Sequence, residues 1–378
     1  MKVAFIGQKG IPAKSGGVDI HTENLAYYLT QKGAEVFVYN RKGYLEGDLA
    51  GIKEWKGIKL ITLPFINTKN LAAITHSFLA TIDAVIKKVD VIHYHGIGPS
   101  LLIWIPKLLR PKTKVVATLH SFDYGNDKWG SFARLMLKSG EKLMCKYADE
   151  VIVLTALMRD YLYQRHGRDS VIIPNGAKAE TIEKSKMLEI LNNFNLEEKK
   201  YLVSVSRLIR LKGIQYVINS FKKLKDKGVL AHDYKLVIVG DGEYENELKK
   251  LADNHSDIVF CGNQKGDSLV ALYTGAALFI QSSEMEGLSI SLLEAMSYGL
   301  PILASDISAN REAAAETATY FIPKDETDLL LKLEDLLRKE DELETMGDKS
   351  KQRVEEFFNW ETISIKVLNL YKKVLEKI

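Results

Sequence analysis

Cysteine and long apolar segments are both scarce in this chain. The only cysteines among its 378 residues are Cys145 and Cys261, which fall in different halves, so we expect no structural disulfide and a reducing, cytoplasmic setting. Residues 3–6 form an apolar run far too short for a signal peptide or a membrane span, and no other uncharged apolar stretch approaches about 18 residues. These absences argue against a disulfide-rich secreted domain and against an integral membrane protein.

Charge is unevenly distributed along the chain, although the formal net charge is only +3. Residues 1–178 hold 25 lysines and arginines against 15 acidic residues, a net charge of +10, whereas residues 179–378 hold 27 against 34, a net charge of −7. A basic half attracts anionic partners, such as phosphates or the anionic face of a membrane. Lysines that only keep the surface solvated explain the excess equally well, so both interpretations stay open.

Short β-branched segments alternate with longer segments of helical periodicity. In the first half this pattern predicts strands at residues 3–6, 35–39, 58–63, 91–94, 114–119 and 151–154, and helices at 20–31, 71–88, 131–146 and 158–165. The alternation restarts with strands predicted at 201–206, 235–239, 258–261, 278–281 and 301–304. A chain of this length fits two domains, and the pattern predicts an α/β fold with a parallel, Rossmann-like sheet in each.

A polar segment after Pro174-Asn175-Gly176 extends to about residue 200, and we predict a hinge there. The predicted domains are residues 1–178 and residues 179–357. From Asn359 onward the apolar residues follow helical spacing, which predicts an amphipathic helix at 358–378 that crosses back to the first domain.

A glycine-containing loop from Gly7 to Gly17 follows the first predicted strand and precedes a helix. Ligands bind at the carboxyl ends of strands in such sheets. The pair Gly16-Gly17 would let backbone N–H groups approach a phosphate, towards which the next helix directs its positive end. Lys9 stands where the dinucleotide-binding fingerprint has its second glycine, which disfavours a dehydrogenase. The alternative is a merely flexible turn.

In the second half, Arg207 and Lys212 bracket the loop after the first strand. Positioned cations can stabilise the charge that grows on a departing diphosphate, as a metal ion does elsewhere. Arginine supplies a planar fork of donors, and lysine supplies a point charge. Cations on surface loops are common, so this pair alone leaves a solvated loop as the alternative.

The strongest pattern lies at residues 283–296, where a strand end gives way to a helix. Glu286 precedes the helix and Glu294 lies inside it. The backbone amides of Gly287, Leu288 and Ser289 could receive diphosphate oxygens at the helix N-terminus, while Glu294 could accept hydrogen bonds from ribose hydroxyls. The alternative is that Glu286 caps the helix and Glu294 is solvated, which the apolar neighbours of Glu294 disfavour.

In their order and spacing, these motifs resemble glycosyltransferase family 4, whose members have the GT-B fold: two Rossmann-like domains with parallel sheets that face each other across an interdomain cleft. The resemblance covers nearly the whole chain. It rests on Gly16-Gly17, His120 after a predicted strand, Pro174-Asn175-Gly176, Ser206-Arg207 with Lys212-Gly213, Val239-Gly240-Asp241-Gly242, and Glu286 and Glu294 with seven residues between them.

The resemblance implies a retaining transfer of a hexosyl or N-acetylhexosaminyl group from a nucleoside-diphosphate sugar, with a UDP-sugar expected, to a glycan, lipid-linked or small-molecule acceptor in polysaccharide or glycoconjugate synthesis. The opening Gly10-Ile11-Pro12-Ala13 also resembles a subgroup that includes rhamnosyltransferases. Ser289, where many relatives have proline, and Met285, which separates two acids, leave the donor sugar open.

The resemblance also implies roles for individual residues. The implied catalytic set is His120, Glu286, Arg207 and Lys212. The donor would be held by Gly16, Gly17, Arg207, Lys212, Gly240, Gly287, Leu288, Ser289 and Glu294, with the two cations on the diphosphate, Glu294 on the ribose, and Glu286 and His120 on the sugar. The acceptor would attack on the face from which the diphosphate departs and give its proton to a phosphate oxygen. No metal, other cofactor or protein base is therefore implied.

Two other functions remain as alternatives: a nucleotide-sugar 2-epimerase of the same fold, which would need acid–base residues, and a non-catalytic nucleotide-sugar-binding subunit. No nucleic-acid partner is expected. The basic first half predicts a peripheral contact with the inner face of the cell membrane. Mixed basic and aromatic segments at 101–107 and 128–134 could touch lipid, although core packing is the favoured interpretation of the first.

Overall fold

The computed structural model describes residues 1–14, 16–68, 71–122, 130–229 and 233–377. The chain divides into two compact units, which are Met1–Asn175 together with Trp360–Ile378, and Gly176–Asn359. The boundaries therefore fall a few residues from the predicted ones. None of the described helices is both long and apolar enough to cross a bilayer.

The first unit is built on a sheet of eight strands. They are β1 (Lys2–Ile6), β2 (Glu35–Arg41), β3 (Glu54–Trp55), β4 (Ile58–Leu63), β5 (Val91–His95), β6 (Lys114–Leu119), β7 (Glu150–Val153) and β8 (Val171–Ile172). Their order is β3-β4-β2-β1-β5-β6-β7-β8, and all neighbours are parallel except β3 and β4. The helices are α1 (Gly17–Gln31), α2 (Ala72–Ile86), α3 (Trp104–Leu109), α4 (Ser131–Tyr147) and α5 (Ala156–His166).

The second unit is built on a parallel sheet of six strands in the order β11-β10-β9-β12-β13-β14. The strands are β9 (Tyr201–Val205), β10 (Lys235–Val239), β11 (Ile258–Gly262), β12 (Leu278–Gln281), β13 (Ile302–Ser305) and β14 (Ala318–Phe321). The helices are α6 (Lys184–Asn193), α7 (Ile214–Asp226), α8 (Glu245–Ala252), α9 (Gly266–Thr274), α10 (Ile290–Ser297), α11 (Ser308–Ala314), α12 (Glu326–Leu337) and α13 (Glu340–Phe357).

The last helix, α14 (Trp360–Glu376), belongs to the first unit and packs against α1. Its apolar stripe, which includes Ile363, Val367 and Tyr371, is buried with Leu25 and Leu29 of α1. The central strands are apolar throughout: residues 3–6 of β1 are completely buried, as expected for a parallel sheet covered on both faces.

Helices lie on opposite faces of the first sheet because the chain crosses it in two directions. From β1 the chain moves through α1 to β2, whereas α2, α3 and α4 lead to β5, β6 and β7 on the other side of β1. Right-handed crossovers in opposite directions place their helices on opposite faces. One face therefore carries α1 and α14, and the other carries α2, α3 and α4.

The predicted parallel α/β architecture is confirmed, and the differences are local. The segment predicted as a polar hinge contains the amphipathic helix α6, whose Met187 and Leu191 are buried. The strands β3, β8 and β14 were not predicted, because two to four residues are too few to show a strand pattern. Both cysteines are buried free thiols, and burial raises the pKa of each to about 12.

The predicted lipid-contacting segments are only partly packed in the core. In residues 101–107, Ile103 and Ile105 are buried, whereas Trp104 is exposed. Of residues 128–134, Lys128 and Trp129 lie outside the described residues. The favoured interpretation of the first segment as core is thus correct for its aliphatic residues but wrong for its tryptophan.

Candidate functional site

The candidate residues of the second unit converge where the sheet changes direction. β9 and β12 are neighbours, but β9 leads to β10 on one side and β12 leads to β13 on the other. Loops after such strands diverge and leave a crevice at the carboxyl edge, where α/β proteins bind ligands. Arg207 and Lys212 follow β9, and Glu286 follows β12.

Backbone contacts hold these two loops against each other. The Ser282 hydroxyl donates a hydrogen bond to the Lys212 carbonyl at 2.8 Å, and the Glu284 N–H donates to the Leu211 carbonyl at 2.8 Å. Gly213 has a φ of +69°, and a Cβ on it would lie 2.1 Å from the Ser282 carbonyl oxygen. Glycine is therefore required at this position, both for its backbone conformation and for the close approach.

Lys212 and Glu286 form an ion pair within this crevice. The Lys212 Nζ lies 2.5 Å from Glu286 Oε1, and their side chains are 19% and 9% exposed. The same oxygen accepts hydrogen bonds from Gln281 Nε2 at 2.8 Å and from the Ser283 hydroxyl at 2.7 Å. From the sequence, Lys212 and Glu286 were predicted to bind different groups of the donor, and Gln281 and Ser283 were not predicted as site residues. Their position at the end of β12 was the available signal.

The neighbouring acid, Glu284, has different partners. Its Oε1 accepts a hydrogen bond from the Tyr216 hydroxyl at 2.9 Å, and its Oε2 lies 2.9 Å from Lys324 Nζ. Met285 between the two acids is exposed. The departure from the family pattern at Met285 therefore leaves Glu284 in a separate ion pair and Glu286 beside Lys212.

Gly240 supports the loop that carries Arg207. It has a φ of +134°, and a Cβ on it would lie 1.9 Å from the Ser206 carbonyl oxygen. Gly242 makes a similar approach to Leu208, 2.2 Å from its carbonyl oxygen. The loop after β10 thus packs directly against the backbone beside Arg207, whose side chain remains exposed.

The predicted helix N-terminus is formed by α10, with Gly287 and Leu288 immediately before it. Ser289 is the N-cap, and its hydroxyl accepts a hydrogen bond from the Leu292 N–H at 3.3 Å. Glu286 is therefore not the cap. Serine is a preferred N-cap residue, so Ser289, where many relatives have proline, fits the local geometry.

Glu294 lies about one turn inside α10 and is largely buried. Its Oε2 accepts a hydrogen bond from the Tyr273 hydroxyl at 3.1 Å, and the ring of Tyr273 stacks on that of Tyr298. Burial raises the pKa of Glu294 to about 7, although the Tyr273 hydrogen bond acts in the opposite direction. A carboxyl group held near its titration point beside a ligand crevice is typical of functional sites.

In the first unit, side chains hold the glycine loop after β1 in place. The Lys9 N–H donates to Asp19 Oδ1 at 2.8 Å, the Ile11 N–H donates to Asn40 Oδ1 at 3.0 Å, and the Ala13 N–H donates to Glu23 Oε2 at 2.6 Å. These bonds disfavour a merely flexible turn over residues 7–14.

The same loop leads to the start of α1. Gly16, with a φ of +95°, is the N-cap of α1, and both Gly16 and Gly17 are exposed. Burial raises the pKa of Asp19 to about 6, even though the Lys9 backbone hydrogen bond opposes this change. The first N–H groups of α1 are thus available to an anion.

His120 does not stand alone but belongs to a buried histidine cluster. Its Nε2 lies 3.2 Å from His95 Nδ1, and its ring makes an edge contact with His21 at 4.7 Å. His21 Nδ1 in turn lies 2.9 Å from Asn175 Oδ1. His21 and His95 were not predicted as site residues, although His95 ends β5 at the carboxyl edge beside His120.

The cluster is electrically neutral near pH 7. Burial lowers the pKa of His21 to about 4 and the pKa values of His95 and His120 well below their usual range. Within the described part of the chain, the Nε2 atoms of His21 and His95 have no hydrogen-bond partner, and these three residues are the one group with several potential metal-ligating atoms close together, all within 4.8 Å. Neutral imidazoles can bind a metal or hydrogen-bond a sugar hydroxyl.

Comparisons with known proteins agree with this geometry. The family described as "Glycosyltransferase Family 4" matches residues 15–181, and the family described as "Glycosyl transferases group 1" matches residues 188–353. An uncharacterized glycosyltransferase of Methanocaldococcus jannaschii is 24% identical, with 100% of this chain and 99% of the relative aligned. The alpha-monoglucosyldiacylglycerol synthase of Streptococcus pneumoniae is 26% identical, with 80% of this chain and 71% of the relative aligned.

Solved structures show the same fold. The Anabaena protein HepE in complex with UDP-glucose superposes with a TM-score of 0.80 at 18% sequence identity, over 99% of this chain and 100% of that one. With two parallel-sheet α/β units, a family match on each unit and this structural likeness, the chain belongs to glycosyltransferase family 4 and is a glycosyltransferase of the GT-B fold.

Proposed function

We propose that this enzyme transfers a hexosyl or N-acetylhexosaminyl group, with rhamnosyl as a narrower alternative, from a UDP-sugar to a glycan, lipid-linked or small-molecule acceptor, and that the anomeric configuration is retained. The Lys212–Glu286 pair at the switch point of the second sheet is the observation that carries this proposal. This pair supports the proposal because a cation that could bind a diphosphate lies next to a carboxylate that could accept hydrogen bonds from sugar hydroxyls.

The second unit would hold the donor. Lys212 and Arg207 bind the diphosphate, together with the backbone amides of Gly287, Leu288 and Ser289 at the start of α10. When Lys212 pairs with the diphosphate instead of with Glu286, the Glu286 carboxylate becomes free to accept hydrogen bonds from the sugar. Glu294 accepts hydrogen bonds from the ribose hydroxyls. Cations already in place where negative charge grows are what stabilises such a transition state.

The first unit would present the acceptor. Neutral His120 exchanges a hydrogen bond with the transferred sugar, and the exposed N–H groups at Gly16 and Gly17 lie near a phosphate oxygen. The carboxylates that hold the glycine loop, Asp19 and Glu23, are engaged with backbone N–H groups. This supports a reaction in which a phosphate oxygen of the leaving group, not a protein base, takes the proton of the attacking hydroxyl.

Relatives support the donor class and the range of acceptors. HepE was solved with UDP-glucose, and the streptococcal relative is named as a glucosyldiacylglycerol synthase. UDP-glucose and a lipid-linked acceptor are accordingly the first substrates to test. We further propose that no metal ion is needed, and that the protein acts in the cytoplasm.

A thermal-shift screen against UDP, GDP, ADP and dTDP identifies the base, because a ligand that binds only the folded state raises its melting temperature. Proton NMR of the product then gives its anomeric configuration. Incubation with UDP-sugars without acceptor provides the control, since accumulation of a 2-epimer would favour an epimerase.

The Lys212→Ala variant tests the role of the Lys212–Glu286 pair in donor binding, with Lys324→Ala as its matched control. Both lysines pair with a glutamate of the 284–286 segment, but only Lys212 pairs with Glu286. We expect Lys212→Ala to lose the UDP shift and Lys324→Ala to keep it. Equal shifts in both variants would refute the proposed donor site.

A further inference from the structure

The helical face formed by α2, α3 and α4 exposes an unusual number of large apolar side chains. α3 packs against both α2 and α4, so the three helices form a continuous layer. Seven large side chains in this layer are between 37% and 70% exposed, namely Phe78, Leu79, Ile86, Trp104, Leu108, Leu109 and Leu135. On the opposite face, the large apolar side chains of α1 and α14 that are exposed are Ile365 and Leu375. The apolar exposure is thus concentrated on one side of the sheet.

An apolar groove opens beside the first turns of α2. It has a volume of about 560 Å³ and is lined by Pro64, Phe65, Ile66, Ile74, Thr75, Phe78, Leu79 and Leu102. At its edge, the Arg41 guanidinium lies over the Phe65 ring, 5.8 Å from the ring centroid. Arg41 ends β2, and its backbone N–H donates to the Lys9 carbonyl of the glycine loop. The groove therefore adjoins the carboxyl edge of the first sheet, which carries the glycine loop.

Lysines accompany the apolar residues on α4. Leu135, Lys138, Lys142 and Lys146 are spaced three, four and four residues apart, which places them on one side of the helix, and all four are exposed. Within the described residues, neither Lys138 nor Lys142 forms an ion pair. The acid of α4, Glu141, is buried, and that of α2, Asp83, is bonded to Tyr39 and Lys87.

We propose that this α2–α3–α4 face docks on a bilayer that contains anionic lipid. The apolar side chains enter the interface between headgroups and acyl chains, the groove takes part of an acyl chain, and the lysines of α4 contact the headgroups. Stable attachment of a peripheral protein needs two such signals, buried apolar area and attraction to anionic lipid, and this face supplies both. An acidic protein partner would pair with the lysines but would leave the apolar groove unfilled.

Flotation of the full chain with vesicles tests this proposal without any donor or acceptor, so its outcome does not depend on the proposed reaction. Vesicles of phosphatidylcholine alone are compared with vesicles in which about 30% of the lipid is the anionic phosphatidylglycerol. We expect flotation with the anionic vesicles, and its reduction by salt, because the attraction of surface charges is screened.

Two pairs of variants locate the contact. Lys138→Glu, Lys142→Glu and Lys146→Glu together are compared with Lys366→Glu, Lys372→Glu and Lys373→Glu, which make the same charge change at exposed positions of α14 on the opposite face. At about fivefold per lysine, the α4 variant should bind anionic vesicles at least about 100-fold more weakly, and the α14 variant should bind much as the wild type does.

The second pair tests the apolar contribution. Leu108→Ser with Leu109→Ser should lower binding by at least about tenfold, whereas Ile365→Ser with Leu375→Ser on α14 should not. Equal loss from both faces, binding indifferent to anionic lipid, or no flotation at all would overturn the proposal. Self-association of the chain through this face without flotation would overturn it too, because the face would then be a protein interface.

Discussion

Replacing Glu294 by glutamine should stabilise the free enzyme at pH 8 and at the same time weaken its binding of UDP. Glu294 of α10 is a largely buried carboxyl group that accepts a hydrogen bond from the hydroxyl of Tyr273 in α9. Glutamine has nearly the same shape, and its amide oxygen can still accept that bond. The substitution therefore removes mainly the cost of ionising a buried group.

The magnitude follows from the pKa change. An ordinary glutamate has a pKa of 4.5, and burial raises that of Glu294 to about 7. Between these values the folded protein holds a proton that the unfolded chain has released, so stability falls as pH rises from 4.5 to 7 and is level above it. The loss amounts to up to about 3 kcal/mol. Glu294→Gln escapes it, and its melting temperature should exceed that of the wild type by up to about 5–10 °C at pH 8.

The stability gain should largely disappear as the pH falls to about 4, where wild-type Glu294 is mostly protonated in both the folded and the unfolded state. Glu284→Gln is the control, because it removes a carboxylate already paired with Lys324 and should destabilise the protein at pH 8. Scanning calorimetry or thermal-shift curves from about pH 4 to pH 8 measure both effects. Equal melting temperatures of Glu294→Gln and the wild type at pH 8 would refute the assignment of Glu294 as a buried carboxyl group whose ionisation destabilises the fold.

The second half of this prediction concerns UDP. Ribose hydroxyls donate to an ionised carboxylate, so wild-type affinity should rise as pH rises towards 7 and then level off. Loss of a hydrogen bond to a charged group costs about 1.5–3 kcal/mol, so Glu294→Gln should bind UDP about 10- to 100-fold more weakly at pH 8. Its affinity should vary little with pH. Calorimetric titration measures the UDP affinity of both proteins. An unchanged affinity in the variant would show that Glu294 does not bind the ribose.

Further predictions concern the remaining parts of the site. Arg207→Ala should cost about 2–5 kcal/mol in kcat/KM, the range for unpairing a charge contact, and wild-type turnover would remove it from the diphosphate site. EDTA should leave activity largely intact, and loss that magnesium restores would contradict a metal-independent reaction. His95→Phe should reduce kcat about tenfold by releasing the ring of His120 but leave the UDP thermal shift unchanged, and a lost shift would point to misfolding. Gly240→Ala should lower the melting temperature by several degrees through its clash with Ser206, and an unchanged melting temperature would contradict that packing.

The fold could be predicted because its signals are local. The strands at residues 58–63, 114–119, 235–239 and 278–281 have the predicted bounds. The last three are nearly continuous apolar runs, which is what a doubly covered parallel strand requires, whereas residues 58–63 alternate between buried and more exposed side chains. The helix α6 was not predicted because the segment after residue 177 is mostly polar. Its two buried residues, Met187 and Leu191, are enough to dock the helix but too few to give a clear apolar pattern.

The site was only half visible in the sequence because its contacts are long-range. Lys212 and Glu286 were each identified, but their ion pair joins positions 74 residues apart. The link from His21 to Asn175 spans 154 residues, and that from His95 to His120 spans 25. No periodicity encodes such distances. Strand ends do encode an edge, so searching every predicted strand end for polar residues would have found His95 and Gln281.

The sign of the second unit's charge shows why local geometry outweighs net charge in this site. Residues 179–378 carry a net charge of −7, yet their crevice is proposed to hold a diphosphate. At physiological ionic strength, exposed charges farther apart than about 8 Å are largely screened, whereas a cation about 4 Å from a phosphate contributes about 4 kcal/mol at a partly buried position. Lys212 is kept in place by Glu286 until a donor arrives, so the site need not spend energy ordering its cation. In the proposed mechanism, the acid that pairs with Lys212 in the free enzyme would then accept hydrogen bonds from the sugar.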